Sequence, residues 1–169
     1  MIATEKAKTS SPSIPSSKYD LRKAEPKDID QICTVFSQVF DSYPFPIFDP
    51  NYIKKTMEEH VDYYVACENN KIISVSSAEI DAENKNAEMT DFATLPEFRS
   101  QGIAQTLLQQ MERDMKNKGI LLAYTIARAL SPGMNVTFAK QGYHFAGTLV
   151  NNTNIAGKIE SMNVWYKNL

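Results

Sequence analysis

Between Ala87 and Gly119 the chain reads AEMTDFATLPEFRSQGIAQTLLQQMERDMKNKG, a short extended stretch, a tight turn carrying Arg99 and Gly102, and a long amphipathic helix. Pro96 has no N–H to give to a sheet ladder, so it closes the strand that Ala87 to Thr94 forms. From Gly102 onward, Ile103, Ala104, Leu107, Leu108, Met111 and Met115 recur at helical spacing and paint one apolar stripe. Lys116 and Lys118 then favour the negative helix end, and Gly119 caps it.

The junction Arg99-Ser100-Gln101-Gly102-Ile103-Ala104 carries the chemistry. The first amides of a helix lack internal partners and sit at the positive end of its dipole, so they can point at a phosphate. Gly102 lets a ligand approach the backbone, small Ala104 keeps the next turn open, and Arg99 adds a full charge. An ordinary strand-turn-helix connection, with a glycine that only eases packing, is the plainer alternative. The pattern Arg/Gln-x-x-Gly-x-Gly/Ala, placed after a strand and Pro96 and before a capped helix, closely resembles the pyrophosphate loop of the Gcn5-related N-acetyltransferase (GNAT) superfamily. That resemblance implies acetyl-CoA as cosubstrate.

Composition narrows the partners. A chain of 169 residues and 19.1 kDa suits one domain with a real core. The net charge of -2 and pI near 5.7 give no support to a nucleic-acid or anionic-membrane surface, so any basic site is local. Cys33 and Cys67 lie in apolar surroundings and read as buried thiols, which fits a reducing cytoplasm. With two Cys, and His60 far from His144, no zinc spacing exists and no metal is expected. No apolar run approaches the roughly 18 residues of a membrane span, and no signal-peptide core follows Met1. Residues 1–18, rich in Ser, Pro and Lys, read as a disordered tail or a linker, which raises the prospect of a longer parent protein.

In chain order, Tyr19 to Lys23 forms a first strand and Pro26 with Asp28 opens a helix. Ile29, Ile32, Cys33, Phe36, Val39 and Phe40 make that helix's buried face. The loop Asp41 to Pro50 is aromatic and stiffened by Pro44, Pro46 and Pro50; its rings either plug the core or wall an acceptor site. A short helix follows over Asn51 to His60. Tyr63 to Glu68 and Ile72 to Asp81 form a hairpin about Asn69-Asn70-Lys71. After Gly119, Ile120 to Ala127 is continuously apolar, as a central strand covered on both faces should be. Ser131-Pro132 opens another helix with Met134, Phe138 and Ala139 inward, and Gly142 ends it. Two last strands, Tyr143 to Val150 and Glu160 to Tyr166, are joined by Asn151 to Gly157.

The order β-α-α-β-β-β-α-β-α-β-β resembles the GNAT layout from Tyr19 to Leu169. It implies an α/β (α+β) class, with a central mixed six- to seven-stranded sheet and about four helices. In that superfamily the strand before the loop splays from its parallel neighbour and holds the pantetheine arm. The groups concerned fall here at Phe92, Ala93, Thr94 and Leu95, one amide of which would also stabilise an oxyanion. An alkyl amine with a pKa near 10.4 is less than about 0.1% neutral at pH 7, so a base must take its proton. Glu88 matches the strand position where several relatives keep a glutamate base, and Asp91 is the reserve. Simple alternation puts Glu88, Thr90, Phe92 and Thr94 on one face and Asp91 on the other, unless a bulge intervenes. Many relatives supply a tyrosine acid where Phe138 stands, so Tyr124, Tyr143 or water substitutes, or no acid is used. Ser131 occupies the family's asparagine place, and Asn135 is a weaker coenzyme candidate.

Ala127 to Asn135, Gly147 to Ile155, Glu160 to Lys167 and Tyr43-Pro44-Phe45-Pro46 together resemble one group within the superfamily, the β-lysine N6-acetyltransferases. These acetylate a side-chain amine to make a compatible solute (osmolyte). Such an acceptor brings two ammonium groups and a carboxylate. Arg128 is then the partner for the carboxylate, and Glu160, Glu88 or Asp91 for an amine. Asn151, Asn152 and Asn163 offer neutral contacts, and Tyr43 and Phe45 a wall; Asn151 to Asn154 equally suit a plain turn. Two other readings stay open, acetylation of a protein amine and a catalytically silent acyl-CoA sensor. A homodimer is compatible with the sequence but not indicated by it.

Overall fold

The computed structural model describes residues 18–169. The expected tail over residues 1–18 therefore lies outside the described residues except for Lys18. In chain order the elements are β1 (Asp20–Lys23), a 3-10 turn at Pro26–Asp28, α1 (Ile29–Val39), α2 (Pro50–Glu59), β2 (Val61–Glu68), β3 (Lys71–Asp81) and β4 (Asn86–Thr94). After a 3-10 turn at Pro96–Phe98 come α3 (Ile103–Asn117), β5 (Leu122–Arg128), α4 (Pro132–Lys140), β6 (His144–Ile155) and β7 (Lys158–Asn168). The strands form one seven-stranded sheet in the order β1-β2-β3-β4-β5-β7-β6. Every neighbouring pair is antiparallel except β4 and β5. This is the mixed α/β sheet that the sequence pattern implies.

Adjacent residues on β2 and β3 define the two faces. Tyr63 and Ser77 are in register, as are Tyr64 and Ser76, so each pair shares a face. Tyr63 meets Thr56 of α2 at 2.9 Å, whereas Ser76 donates to Met111 Sδ of α3 at 3.1 Å. Helices α2 and α3 thus cover opposite faces, which is why Val61 to Cys67 and Ile72 to Ala78 are buried throughout. Leu107, Leu108, Met111 and Met115, the stripe read from the sequence, are fully buried beneath α3. From the end of α1, Phe36, Phe40 and Tyr43 stack in succession and lead the proline-rich loop over the α2 face.

Three expectations need correction. Strand β5 is not covered on both faces: Ala123 and Thr125 are buried, but Leu122, Tyr124, Ile126 and Ala127 are partly exposed and Leu121 is 58% exposed. The segment from Asn151 to Ile155 is strand rather than connection, and the turn is only Ala156-Gly157, both at positive φ. The β6–β7 register slips between Leu149 and Thr153 around Asn151 at φ 49°, so asparagine's tolerance of that geometry serves a bulge, not a loop. On α4 only Phe138 is buried; Met134 is half-buried and Ala139 exposed.

The start of α1 is pinned to β1 by a buried carboxylate. Asp28, 3% exposed, takes Arg22 Nη1 at 2.6 Å and Nη2 at 3.0 Å, and accepts the Glu25 amide at 2.8 Å. The Arg22 fork and that amide hold its carboxyl below the usual range. A depressed folded pKa gives stability that is present above the ordinary aspartate value and lost as pH falls through the folded one. Asp28→Asn should cost about 2 kcal/mol in urea unfolding at pH 7. The gap to wild type should close at acid pH; a pH-independent gap would show that the charge is irrelevant.

Candidate active site

Strands β4 and β5 pair only over Asn86, Glu88 and the residue between, opposite Leu122 to Tyr124. Beyond Glu88, β4 stays with β3 as far as Thr94↔Ser74, and β5 stays with β7 as far as Arg128↔Met162. The opening between them leads to a cavity of about 430 Å³, walled by β4, β5, the Tyr43–Phe45 loop and the far end of β6. The hairpin tip closes against that loop, the Ala156 amide donating to Ser42 Oγ at 2.9 Å.

The predicted phosphate turn follows the end of β4, beyond the part of that strand that pairs with β5. Ser100 and Gly102 both have positive φ, 61° and 76°. The first helical bond of α3 runs from the Thr106 amide to the Gly102 carbonyl at 3.0 Å, so the amides just before it have no carbonyl within the helix. Backbone amides arranged this way form an anion-binding concavity. A Cβ at Gly102 would meet nothing within 4 Å, so the protein needs glycine there for its φ, not for room. Arg99 is exposed, and its Nε returns to the Thr94 carbonyl at 3.1 Å, across the end of β4. Gln101 is anchored by the Tyr19 hydroxyl, Ile103 is buried and Ala104 half-buried. Of the β4 main chain, the Leu95 amide is spent on the Ile73 carbonyl at 3.0 Å, and the Ala93 carbonyl accepts Ser74 Oγ at 3.0 Å.

The β3–β4 register jumps between Val75 and Ser77, which absorbs Asp91, at φ 54°, as a bulge. Simple alternation from Glu88 therefore fails, and Glu88, Thr90, Asp91 and Phe92 all line the cavity. Burial first, then the nearby carboxylates of Glu79 and Asp91, push the Glu88 carboxyl up to about 7. Asp91 is raised mainly by burial and steadied as an anion by its hydrogen bonds. Tyr43 Oη donates to its Oδ1 and Ser77 Oγ to its Oδ2, both at 2.5 Å. Burial and the adjoining carboxylate hold the Tyr43 hydroxyl far above the usual tyrosine range, so it remains a donor.

The remaining candidates divide. Tyr124 is in register with Glu88 but lies outside the cavity lining, and Tyr143 is buried edge-to-face against Phe138 at 5.1 Å. Phe138, 1% exposed, also meets Phe92 edge-on at 5.6 Å, so its ring is part of the cavity's packed wall. Arg128 and Glu160 pair with each other, Nε to Oε2 at 2.8 Å and Nη2 to Oε1 at 2.6 Å. The arginine fork holds Glu160 below the usual carboxylate range. Asn152 lines the cavity, whereas the Asn151 amide is tied to Ser161 Oγ at 3.0 Å. Phe45 lines the cavity while staying 58% exposed. Sequence reasoning missed Ser77 as a site residue, and its signal was the cluster Ser74, Ser76 and Ser77 inside a buried strand.

Asn135 is a clamp. Its Nδ2 donates to the carbonyls of Arg128 at 3.0 Å and Ser131 at 2.8 Å. Its Oδ1 accepts Asn163 Nδ2 at 2.9 Å and Trp165 Nε1 at 2.8 Å. Both ends are thereby committed to the protein, and Asn163 also takes Thr148 Oγ1 at 2.8 Å.

This arrangement, amides at a helix start beside parted parallel strands with carboxylates beyond, is the geometry of an acyl-transfer fold, and the chain belongs to the acetyltransferase (GNAT) family, whose model matches residues 29–143. Among relatives, the beta-lysine N(6)-acetyltransferase of Methanococcus maripaludis is 51% identical over 150 residues, 89% of this chain and 55% of that protein. The protein of that name from Methanosarcina mazei is 40% identical over 151 residues, 89% of this chain and 56% of its own. The chain thus spans about half the length of these curated relatives. A solved ribosomal L7/L12 alpha-N-protein acetyltransferase in complex with coenzyme A shares the fold, with a TM-score of 0.77 at 17% identity over 92% of this chain and 97% of that one. Among the described residues, no group of three or more His, Cys, Asp or Glu is placed to hold a metal, and no helix is long and apolar enough to cross a membrane.

Removing the Asn135 clamp strands a half-buried indole N–H and an amide. Asn135→Ala should cost about 2 kcal/mol in denaturant unfolding. Trp165 is the chain's single tryptophan, so its emission should shift red in the folded variant. Unchanged stability and emission would show that the clamp carries no energy.

Proposed function

We propose that residues 19–169 form an acetyl-CoA-dependent N-acetyltransferase domain acting in the cytoplasm on the side-chain amine of a small diamino acid, best matched by β-lysine. The observation that carries this reading is a cavity with Glu88 and Asp91 on its wall, opening at the strand parting beside the amide-rich turn. The turn at Ser100 to Ala104 fits a diphosphate, with Arg99 as its cationic neighbour. The edge of β4 from Phe92 to Thr94, beyond its pairing with β5, fits an extended amide-bearing arm. Acetyl-CoA would supply the activated acyl group there.

Glu88 receives the proton of the acceptor ammonium. Its carboxyl, pushed up to about 7, suits a group that must accept and release a proton near neutrality. The thiolate leaving group needs less help, since thiol pKa values lie near 8.5. Phe138 excludes water and supplies no proton. Arg128, steadied by Glu160, faces the carboxylate end of the acceptor. The contact between the hairpin tip and the Ser42 loop favours a small acceptor over a peptide, which would need an open groove.

Incubation of the protein with acetyl-CoA and a panel of β-lysine, α-lysine, polyamines and peptides, read by mass, tests the proposal. β-Lysine should gain one acetyl group fastest. Saturable coenzyme binding with no thiol release from any amine would instead favour a sensor. The base has its own signature: only the carboxylate form of Glu88 accepts a proton, so kcat/KM should rise with pH through about 7. Glu88→Gln should abolish that limb and lower the rate roughly 100-fold or more. A variant with the wild-type profile would remove Glu88 from the reaction.

A further inference from the structure

Two carboxylates line one cavity, and they are held differently. Glu88 carries no hydroxyl donors, whereas each oxygen of Asp91 accepts one, from Tyr43 and from Ser77, at 2.5 Å, with Thr90 Oγ1 at 3.5 Å from Oδ1. An ionised carboxylate offers about four lone-pair directions, so room for a further donor remains. Hydroxyls are neutral: they aim the group and stabilise its anion without matching its charge. Among the described residues, no ion pair involves Asp91, although it is half-buried. Arg128, the cation in the cavity wall, is matched by Glu160. The unmatched charge of the cavity is therefore negative.

The backbone at Asp91 points the same way. A non-glycine residue at φ 54° costs roughly 1–3 kcal/mol and is kept where the surroundings enforce it. Here the bulge turns the carboxylate into the cavity beside Glu88. The same hydrogen bonds stabilise the anion against the burial that raises this carboxyl. A carboxylate that is fixed by two hydroxyls and short of a cation is suited to binding an ammonium group.

Resting on the acceptor-site reading above, we infer that Asp91 is a specificity-determining residue that binds the acceptor's second ammonium group, the one that is not acetylated. Tyr43 and Ser77 position it. The site then selects diamines and diamino acids over monoamines by charge, and the Tyr43 loop takes part in that selection.

The test compares β-lysine with 6-aminohexanoate, which keeps the reacting amine and the carboxylate and lacks the second amine. Wild-type kcat/KM should favour β-lysine by roughly 10- to 100-fold, the range of a charge-assisted hydrogen bond. Asp91→Asn should collapse that preference by lowering the β-lysine value by a larger factor than the 6-aminohexanoate value, with coenzyme affinity by titration unaltered. Both values are read above the Glu88 limb, because the substitution also removes a charge beside Glu88. Tyr43→Phe, which leaves the carboxylate in place, should lose part of the preference and serves if the Asp91 variant does not fold. Equal losses on both acceptors, or no preference in the active wild type, would overturn this inference alone. A wild type that acetylates neither would overturn the function proposed above and this inference with it.

Discussion

The parting of β4 from β5 is the constraint on which the remaining architecture depends. Two parallel strands that pair for three residues and then diverge forfeit ladder hydrogen bonds worth about 1 kcal/mol each. The sheet tolerates this because each strand keeps an antiparallel partner on its other side, β3 for β4 and β7 for β5. The helix that follows β4 buries Leu107, Leu108, Met111 and Met115 against the sheet and so anchors the strand's far end. What the gap gains is main chain that an incoming ligand can pair with, in a place where the protein's own ladder would otherwise have filled it.

The Asp91 bulge links that gap to the chemistry. A bulge increases local twist and re-aims side chains, and here it sits where β4 leaves β5. One irregularity thus lies at the divergence of the strands and sets Asp91 beside Glu88. The carboxylates of Glu79 and Asp91 then raise the cost of ionising Glu88, on top of burial, and help lift it to about 7. The hydroxyls of Tyr43 and Ser77 push back toward ionisation at Asp91, against the burial that raises it.

Most of the fold was legible because it is written in local periodicity and punctuation. The α3 stripe, Pro96, the Asn69-Asn70 turn and the Gly119 and Gly142 ends all fall where the sequence puts them. The turn from Arg99 to Ala104, with its left-handed Gly102, was legible for the same reason, being contiguous in the chain. What was hidden is what depends on pairing between distant strands. Alternation placed Asp91 away from Glu88, since a bulge is a property of the β3–β4 register and not of β4 alone. Asparagine-rich Asn151 to Asn154 read as a turn by composition, but β7 offers them a ladder as far as Lys158. Arg128 and Glu160 were each available for a ligand until the β5–β7 neighbourhood set them against one another.

That last pairing changes what the acceptor end of the cavity can do. A free arginine would attract any anion, and a free glutamate any cation, so neither would discriminate well. Bound bidentately, they form a near-neutral unit in which Glu160 fixes the guanidinium plane through Nε and Nη2, while Asn135 holds the Arg128 main-chain carbonyl. Recognition there becomes a matter of direction more than of net charge, because a planar fork already engaged on one edge accepts a carboxylate only along the other. The net negative charge is left to the β4 side, where the bulge holds Asp91. Separating a directional carboxylate contact from an anionic ammonium contact along one cavity is how a small site can read a zwitterion by length as well as by charge.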